Sequence, residues 1–267
     1  MATVIGIVGS PNREGRTRRV VDAALEGAAR SGAAVELVQM ADHVVGACRD
    51  CVPWVCAERK KCTYPDPAFD LLSEKLHACA GLVLGSPIYW WDTSAMVRSF
   101  FLKVFRVFAR SAPFQGLPSF GIGVAGGTGN GLVSGLRPLY HFFQVMQMRA
   151  LAPVPVTRFT IDSSVTRAAE LGAELGRMAE KRAPFASTDE RLLWYDRMPY
   201  IGMGRLEERR FLAGDVVSAL PAAQGAPLAA RLVAADARLS AGEAETASAE
   251  VTAVYEEAVG AFDAARG

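Results

Sequence analysis

Stretches with the pattern of buried strands alternate with stretches of helical periodicity along about two thirds of the 267-residue chain. Residues 3–8 are apolar and largely β-branched, and they run directly into a turn made of Gly, Ser, Pro and Asn. Strand character returns at 34–38, 81–85, 119–124 and 150–156, and helical periodicity covers 16–30, 69–79, 93–110, 132–147 and 165–182. Because successive parallel strands need crossover helices, this alternation predicts a parallel sheet covered by helices on both faces.

Five strands and five helices fit the flavodoxin-like version of the doubly wound α/β fold, which has a five-stranded parallel sheet. We therefore predict a flavodoxin-like domain over residues 1–183 and a mainly helical extension, for packing or oligomerisation, over 184–267. From about residue 222 to 265 the extension is rich in Ala and Glu, which predicts one or two helices. Their apolar face would pack on the body of the protein or on another subunit, and it comprises Leu228, Leu232, Ala235 and Leu239.

The charge balance and the distribution of apolar residues argue against several classes of partner. With 29 basic and 28 acidic side chains the net charge is +1, so the chain has no general attraction to nucleic acid or to anionic membranes. No apolar run reaches the roughly 18 residues of a membrane span, and the N-terminus lacks the pattern of a secretory signal. We expect a cytoplasmic protein that binds neither nucleic acid nor a membrane.

The loop over residues 9–17, Gly-Ser-Pro-Asn-Arg-Glu-Gly-Arg-Thr, joins the first strand to the first helix. A helix N-terminus offers unpaired N–H groups and a partial positive charge, which suit a phosphate. Ser10 and Thr17 can add hydroxyl donors, Arg16 can add a charged donor, and Asn12 can bind a phosphate oxygen or shape the turn. The alternative is an ordinary strand-to-helix turn. The loop lacks the glycine pattern of dinucleotide-binding folds and the Gly-Lys-Ser/Thr of nucleotide triphosphatases, so both are excluded.

Two further loops are expected at the same edge of the sheet, because the carboxyl ends of parallel strands meet there. The loop over 85–91, Gly-Ser-Pro-Ile-Tyr-Trp-Trp, brings aromatic rings and backbone amides, as an isoalloxazine ring requires. Tyr89 and Trp90 are the predicted ring neighbours, although Trp90 and Trp91 could instead cap the sheet. The loop over 125–131 is rich in glycine, and Gly126 and Gly127 would let the edge of a ring lie against backbone.

Four of the five cysteines lie in one segment (residues 46–67, the cysteine segment), spaced Cys48-x2-Cys51-x4-Cys56-x5-Cys62. Clustered thiols in a cytosolic protein indicate a metal site or redox chemistry more than disulfides. Four thiolates in a compact loop can ligate a [4Fe–4S] cluster. A structural zinc site is the second possibility, although paired CxxC motifs are more usual there. In the third, the thiols bind no metal.

Together the three loops resemble the flavodoxin-like NAD(P)H-dependent FMN reductase superfamily, and the cysteine segment is similar to that of its iron-sulfur flavoprotein branch. The resemblance covers about residues 3–182. It implies that the first loop holds the FMN phosphate and that the second lines the flavin ring. The second cysteine gap has four residues where that branch usually has two, and relatives more often have a small polar residue at position 16. The implied contacts are Ser10, Asn12, Arg16 and Thr17 for the phosphate, and Pro87, Ile88, Tyr89 and Trp90 for the ring.

From these features we predict an FMN-dependent oxidoreductase that passes electrons between a [4Fe–4S] cluster and FMN to reduce a small-molecule acceptor. NAD(P)H is a candidate donor. The cations at positions 49 and 59–61 make an acidic donor such as a ferredoxin another, unless they are simply solvated. The resemblance implies a homodimer or homotetramer with the cysteine segment at a subunit interface. The alternatives are an NAD(P)H-dependent FMN or quinone reductase with structural cysteines, and a non-catalytic electron carrier or zinc-stabilised flavin-binding module.

Overall fold

A mostly parallel sheet forms the centre of the computed structural model, which describes residues 1–51 and 54–265. Its strands are β1 (Thr3–Val8), β2 (Ala34–Gln39), β3 (Gly81–Tyr89), β4 (Asp92–Thr93), β5 (Pro118–Ala125), β6 (Arg149–Ala150) and β7 (Val154–Thr157). Strands β2, β1, β3 and β5 lie side by side in parallel, and β6 and β7 both pair with the outer side of β5. Only β4 is antiparallel, paired with β3, among the described residues. The predicted flavodoxin-like parallel sheet is confirmed, with the strand order β2-β1-β3-β5 followed by β6 and β7.

Helices cover both faces of this sheet, as predicted. They are α1 (Arg16–Arg30), α2 (Val55–Arg59), α3 (Pro67–Ala78), α4 (Ala95–Phe108), α5 (Leu132–Val145) and α6 (Ile161–Met178). On one face, α1 and α6 bury Val21, Leu25 and Leu175 against the strands. On the other, α3, α4 and α5 bury large side chains such as Phe69 and Phe100. Because both faces are covered, the central strands are apolar throughout rather than alternating.

Four elements differ from the predicted boundaries. Strand β3 runs to Tyr89 rather than ending at 85, so most of the predicted second loop belongs to this strand. The strand expected over 150–156 is two short strands, β6 and β7, because Pro153 between them has no N–H to donate to a ladder. The last helix of the α/β part begins at Ile161 rather than at 165, and ends at Met178. The segment expected to be irregular over 40–67 contains a short 3₁₀ helix (Met40–Asp42) and α2. Val52 and Pro53, in the second cysteine gap, lie outside the described residues, as do 266–267.

The predicted helical extension is present, and its helices are α7 (Thr188–Asp196), α8 (Arg205–Ser218), α9 (Ala222–Ser240) and α10 (Ala244–Ala264). The last three pack on one another, with Leu228, Leu232 and Ala235 buried between them, whereas Leu239 is 39% exposed. Helix α7 packs on the α/β part, where the Tyr195 hydroxyl donates a hydrogen bond to the Met148 carbonyl oxygen (2.7 Å). No helix within 1–51 or 54–265 is long and apolar enough to cross a membrane.

Helices α1 and α6 approach each other backbone to backbone. A Cβ atom at Gly172 would lie 1.9 Å from the Ala24 carbonyl oxygen, and one at Gly27 would lie 2.0 Å from that of Ala169. Neither oxygen can turn away without unwinding its helix. The two glycines therefore set the distance at which α6 packs on α1.

Gly172→Ala is expected to lower the free energy of unfolding by about 2–3 kcal/mol, because the added methyl must push the two helices apart. Gly260→Ala in α10 is the matched control, since a Cβ there would meet no atom within 4 Å. That control should raise the stability by about 0.5–1 kcal/mol through helix propensity. Urea denaturation measures both values, and equal effects of the two variants would contradict the close contact.

Candidate functional site

The loops that follow β1, β3 and β5 meet at one edge of the sheet. The Gly9 N–H donates to the Gly85 carbonyl oxygen (2.7 Å), which joins the first loop to the second. The Arg16 guanidinium donates to the Gly126 carbonyl oxygen (3.1 Å), which joins the first loop to the third. Strands β1 and β3 are neighbours in the sheet, so the loops surround its topological switch point, where open α/β sheets form ligand crevices.

Side chains of the first loop are used to hold its own shape. Ser10 Oγ accepts from the Asn12 N–H (3.1 Å), and Asn12 Oδ1 accepts from the Glu14 N–H (3.0 Å). Gln39 Nε2, at the end of β2, also holds the loop by donating to the Ser10 carbonyl oxygen (2.7 Å). The Asn12 side chain therefore shapes the turn, which is one of its two predicted roles.

Helix α1 begins with its N–H groups facing this loop. Its N-cap is Gly15, which has no side chain to accept from the first turn, and that turn contains no acidic residue. An anion could therefore accept from these N–H groups. Ser10 and Thr17 are almost completely buried beside them, at 4% and 3% exposure, whereas Arg16 is exposed and reaches across to the third loop.

Two serines that the sequence reasoning did not select hold the loops together. Ser94 Oγ donates to the Gly9 carbonyl oxygen (2.6 Å) and also accepts from the Val97 N–H (3.4 Å) as the N-cap of α4. Ser86 Oγ accepts from the Ser94 N–H (3.0 Å). Ser94 precedes a helix and so carries an N-cap signal, but nothing local indicates that its hydroxyl reaches a loop 85 residues away.

The second loop ends in a tight hairpin with tryptophan at both turn positions. Tyr89 pairs with Asp92 across it, and the two residues between them, Trp90 and Trp91, have φ values of 53° and 60°. Such turns favour Asn-Gly, and a left-handed conformation costs a non-glycine residue about 1–3 kcal/mol. The ring of Trp91 lies over Gly131: a Cβ atom there would be 2.6 Å from Trp91 Cδ1.

The predicted ring-lining residues fall into two groups. Tyr89 and Trp90 are exposed, at 52% and 89%. Pro87 is buried within β3, and Ile88 packs on α5, where its Cδ1 would lie 2.5 Å from a Cβ atom at Gly135. The side chain of Ile88 therefore faces α5, and among these four residues the two exposed aromatics are free to contact a ligand.

The third loop, over residues 125–131 (the glycine-rich loop), leaves its backbone open to the crevice. Gly126 and Gly127 are exposed, and a Cβ atom at Gly127 would meet no atom within 4 Å. Gly126 is contacted by Arg16 from the opposite side of the crevice. The structure therefore brings the two glycines next to the first loop, with free space over Gly127.

All four cysteines of the cysteine segment line one cavity of about 530 Å³. Cys56 is buried, and Cys48, Cys51 and Cys62 are partly exposed. Over the described ranges, no three His, Cys, Asp or Glu side chains stand in a ligating arrangement. The fifth cysteine, Cys79, is buried elsewhere as predicted, and burial raises its pKa to about 12.

Arg106 of α4 holds the first half of the cysteine segment. Its guanidinium donates to the Cys51 carbonyl oxygen (2.8 Å), pairs with Asp50 (2.8 Å) and lies 4.4 Å from the centre of the Trp54 ring. The Cys56 thiol in turn donates to the Arg106 carbonyl oxygen (3.4 Å). Three contacts from one side chain thus fix the backbone around two of the thiols.

A buried ion pair between Asp66 and Lys103 holds the second half. The two side chains are only 10% and 6% exposed, and Asp66 also accepts from the Gly46 and Phe69 N–H groups (3.0 Å each). Burial by itself would raise the pKa of Asp66. The hydrogen bonds from Lys103, Phe69 and Gly46 outweigh it, so the pKa lies below the usual 3.8.

The profile of the NADPH-dependent FMN reductase family matches residues 2–163, which include β1 to β7. The chain belongs to this family. The predicted membership of the FMN reductase superfamily is confirmed, and the match contains the three loops and the cysteine segment. It ends at the start of α6, before the extension.

Curated relatives of the chain are iron-sulfur flavoproteins, as predicted. One from Methanocaldococcus jannaschii is 37% identical over 95 residues, which is 36% of this chain and 48% of that protein. One from Archaeoglobus fulgidus is 29% identical over 96 residues, which is 36% of this chain and 42% of that protein. The chain therefore matches about half the length of these relatives or less.

Solved structures agree in fold. A flavone reductase superposes with a TM-score of 0.55 at 15% identity, covering 71% of this chain and 69% of that one. An NAD(P)H:quinone oxidoreductase from Methanothermobacter marburgensis gives 0.52 at 16% identity, covering 65% and 98%. At such identities the likeness establishes the fold alone.

Ser94→Ala is expected to lower the free energy of unfolding by about 1–2 kcal/mol, because it removes a helix cap and leaves the Gly9 carbonyl oxygen unpaired. Ser240→Ala is the control, since Ser240 is exposed at the end of α9 and its hydroxyl donates to the Asp236 carbonyl oxygen of the same helix. The control should change stability by less than about 0.5 kcal/mol. Urea denaturation measures both, and equal losses would argue against a structural role for Ser94.

Acid is expected to loosen the cysteine segment before the loops at the sheet edge. Because the folded-state pKa of Asp66 is lowered, its stabilising contribution is complete above the unfolded value of 3.8 and is lost as the pH falls through the lower folded value. Amide hydrogen exchange should show the Gly46 N–H losing protection in this range. The Gly9 N–H, which binds a backbone carbonyl, should keep its protection, and parallel loss at both would contradict the prediction.

Proposed function

We propose that the chain is an FMN-dependent oxidoreductase that passes electrons between a [4Fe–4S] cluster in the cysteine segment and FMN, and so reduces a small-molecule acceptor. The observation that carries the proposal is the meeting of the three loops at the β1/β3 switch point, in a chain that belongs to an FMN reductase family. Flavodoxin-like sheets bind FMN at this point.

The first loop suits the phosphate of FMN. The first-turn N–H groups of α1 and the positive end of its dipole would stabilise a dianion. The hydroxyls of Ser10 and Thr17 lie beside them, and Asn12 holds the turn in shape. Arg16 can supply a charged hydrogen bond, in exchange for the one that it donates to Gly126.

The second and third loops suit the flavin ring. Tyr89 and Trp90 offer exposed aromatic faces, and the open backbone at Gly126 and Gly127 lets a flat ring approach closely. A strained hairpin that displays a tryptophan to solvent is also typical of a binding site, because the strain must be offset by other contacts.

The cysteine segment fits an iron–sulfur cluster by the chemistry of its donors. Four thiols on one cavity are the number that a [4Fe–4S] cluster requires. The cavity wall also contains the cationic side chains of Arg49, Lys103 and Arg106, which would offset part of the negative charge of a cluster held by four thiolates. When bound, FMN and the cluster would supply two-electron and single-electron transfer respectively. The protein's own part is to bind, orient and shield them.

A second candidate follows from the description of the matched family as NADPH-dependent. It is an NAD(P)H-dependent FMN or quinone reductase in which the cysteines serve only the structure. The two candidates share the flavin site and differ in the role of the cysteines, which ligate a cluster in the first and are structural here. The donor is NAD(P)H here, and NAD(P)H or a ferredoxin-like protein in the first. For either one we propose a cytoplasmic homo-oligomer, a dimer or tetramer.

Protein purified without oxygen provides the test. We expect it to bind FMN with a dissociation constant in the micromolar range or below (about −8 kcal/mol) and to contain about four iron and four sulfide per chain. Cys51→Ser should lose the iron and keep the FMN, because the cavity is separate from the loops. Cys79→Ser, outside the cavity, is the matched control and should keep both.

Each other outcome has a definite meaning. Rapid NADPH oxidation by iron-free protein would establish the second candidate. Zinc without sulfide would establish a zinc-stabilised flavin-binding module. Colourless protein that fails to bind added FMN at micromolar concentration would overturn the proposal as a whole.

A further inference from the structure

The N-terminus of α5, immediately after the glycine-rich loop, is capped by a residue of the helical extension. Glu208 of α8 is 9% exposed, and its Oε1 accepts from the Val133 N–H (3.0 Å) in the first turn of α5. The N-cap of α5 is Gly131, which has a φ of 82° and no side chain, and the first turn contains no acidic residue. The carboxylate of Glu208 therefore supplies the cap and faces the positive end of the α5 dipole.

A second helix of the extension holds the middle of the glycine-rich loop. The hydroxyl of Tyr255, in α10, donates to the Thr128 carbonyl oxygen. The Tyr255 ring is 5% exposed and lies under the guanidinium of Arg209, which is 4.4 Å from the ring centre. The tyrosine is thus held by Arg209 at its ring while its hydroxyl binds the loop.

The loop is also packed from behind by α8. Leu212 lies so close to Gly129 that a Cβ atom on the glycine would be 2.8 Å from Leu212 Cδ2. On the crevice side, Arg16 donates to the Gly126 carbonyl oxygen. The glycine-rich loop is therefore held by the first loop at residue 126, by the extension at residues 128 and 129, and just after its end by the cap at residue 133.

We propose that the extension is part of the flavin site, and that Glu208 and Tyr255 are positioning residues that preorganise the glycine-rich loop for the flavin ring. This inference rests on the proposed function. A loop with four glycines between residues 126 and 131 has many accessible conformations, and ordering it on binding costs free energy. Hydrogen bonds from outside the crevice order the loop during folding, so less free energy is lost when the ring binds. The affinity for the ring therefore increases although neither residue contacts the ring.

Removal of single hydroxyl groups tests the proposal with a matched pair of variants. Tyr255→Phe removes the donor to the glycine-rich loop. Tyr195→Phe removes the hydroxyl of a tyrosine in α7 that is similarly buried, at 7% against 5% exposure. That hydroxyl also donates to a backbone carbonyl of the α/β part, that of Met148, away from the loops. Both variants should lose similar stability in urea. Only Tyr255→Phe should bind FMN more weakly, by about threefold to tenfold, because the loop loses one of the hydrogen bonds that order it.

The carboxylate is tested in the same titration. Glu208→Ala should weaken FMN binding by about tenfold, because the cap and its charge are both lost. Glu208→Gln should recover part of the loss, because its amide oxygen can still accept from the Val133 N–H. Riboflavin should show the same losses as FMN for both positions, since the glycine-rich loop serves the ring and not the phosphate.

Amide hydrogen exchange of the full-length protein without flavin gives a second readout. Residues 126–131 should exchange faster in Tyr255→Phe than in Tyr195→Phe. Equal flavin affinity and equal exchange in these two variants would overturn the inference while leaving the proposed function intact. Wild-type protein that binds neither FMN nor riboflavin would overturn the proposed function and this inference with it.

Discussion

Two hydrogen bonds of Gly9 hold the candidate site together. Its N–H donates to the Gly85 carbonyl oxygen at 2.7 Å, and its carbonyl oxygen accepts from Ser94 Oγ at 2.6 Å. The first bond extends the β1–β3 ladder beyond the strands, and the second fastens the start of α4 to the end of β1. Since both bonds start from this residue, the first loop, the end of β3 and the start of α4 keep one fixed geometry.

The cysteine segment is joined to the same framework through α4. Arg106 and Lys103 lie on this helix and reach the two halves of the segment, while Ser94 at the helix start reaches the crevice. One rigid helix therefore connects the proposed flavin site to the cavity that the four thiols line. Such a connection would keep the two proposed cofactor sites at a fixed separation.

The extension completes the crevice from outside the matched family region. The family profile ends at residue 163, yet α8 and α10 supply the cap of α5 and the hydrogen bond to Thr128. The α/β part thus provides the three loops, and the extension restricts the conformations of the glycine-rich loop. The hairpin is held to the body by the Arg98–Asp92 ion pair (2.8 Å) and by the ring of Trp91 over Gly131, whereas Trp90 is 89% exposed.

The order of strands and helices, the three loops and the four clustered thiols could be predicted from the amino-acid sequence, because periodicity and turn chemistry depend on neighbours in the chain. The helical nature of the end of the extension followed for the same reason. The break at Pro153 was also encoded locally, but its effect depends on whether a neighbouring strand needs the missing N–H. The site-residue assignments remain predictions.

Only the tertiary structure decided which residues hold these pieces in place. Ser94 and Gly9 are 85 positions apart, Glu208 and Val133 are 75 apart, and Tyr255 and Thr128 are 127 apart. No local pattern marks such pairs, because a serine that caps its own helix and a glutamate on an amphipathic helix look ordinary in sequence. Their partners are set by how helices pack on the sheet, and packing depends on the shape of the whole chain.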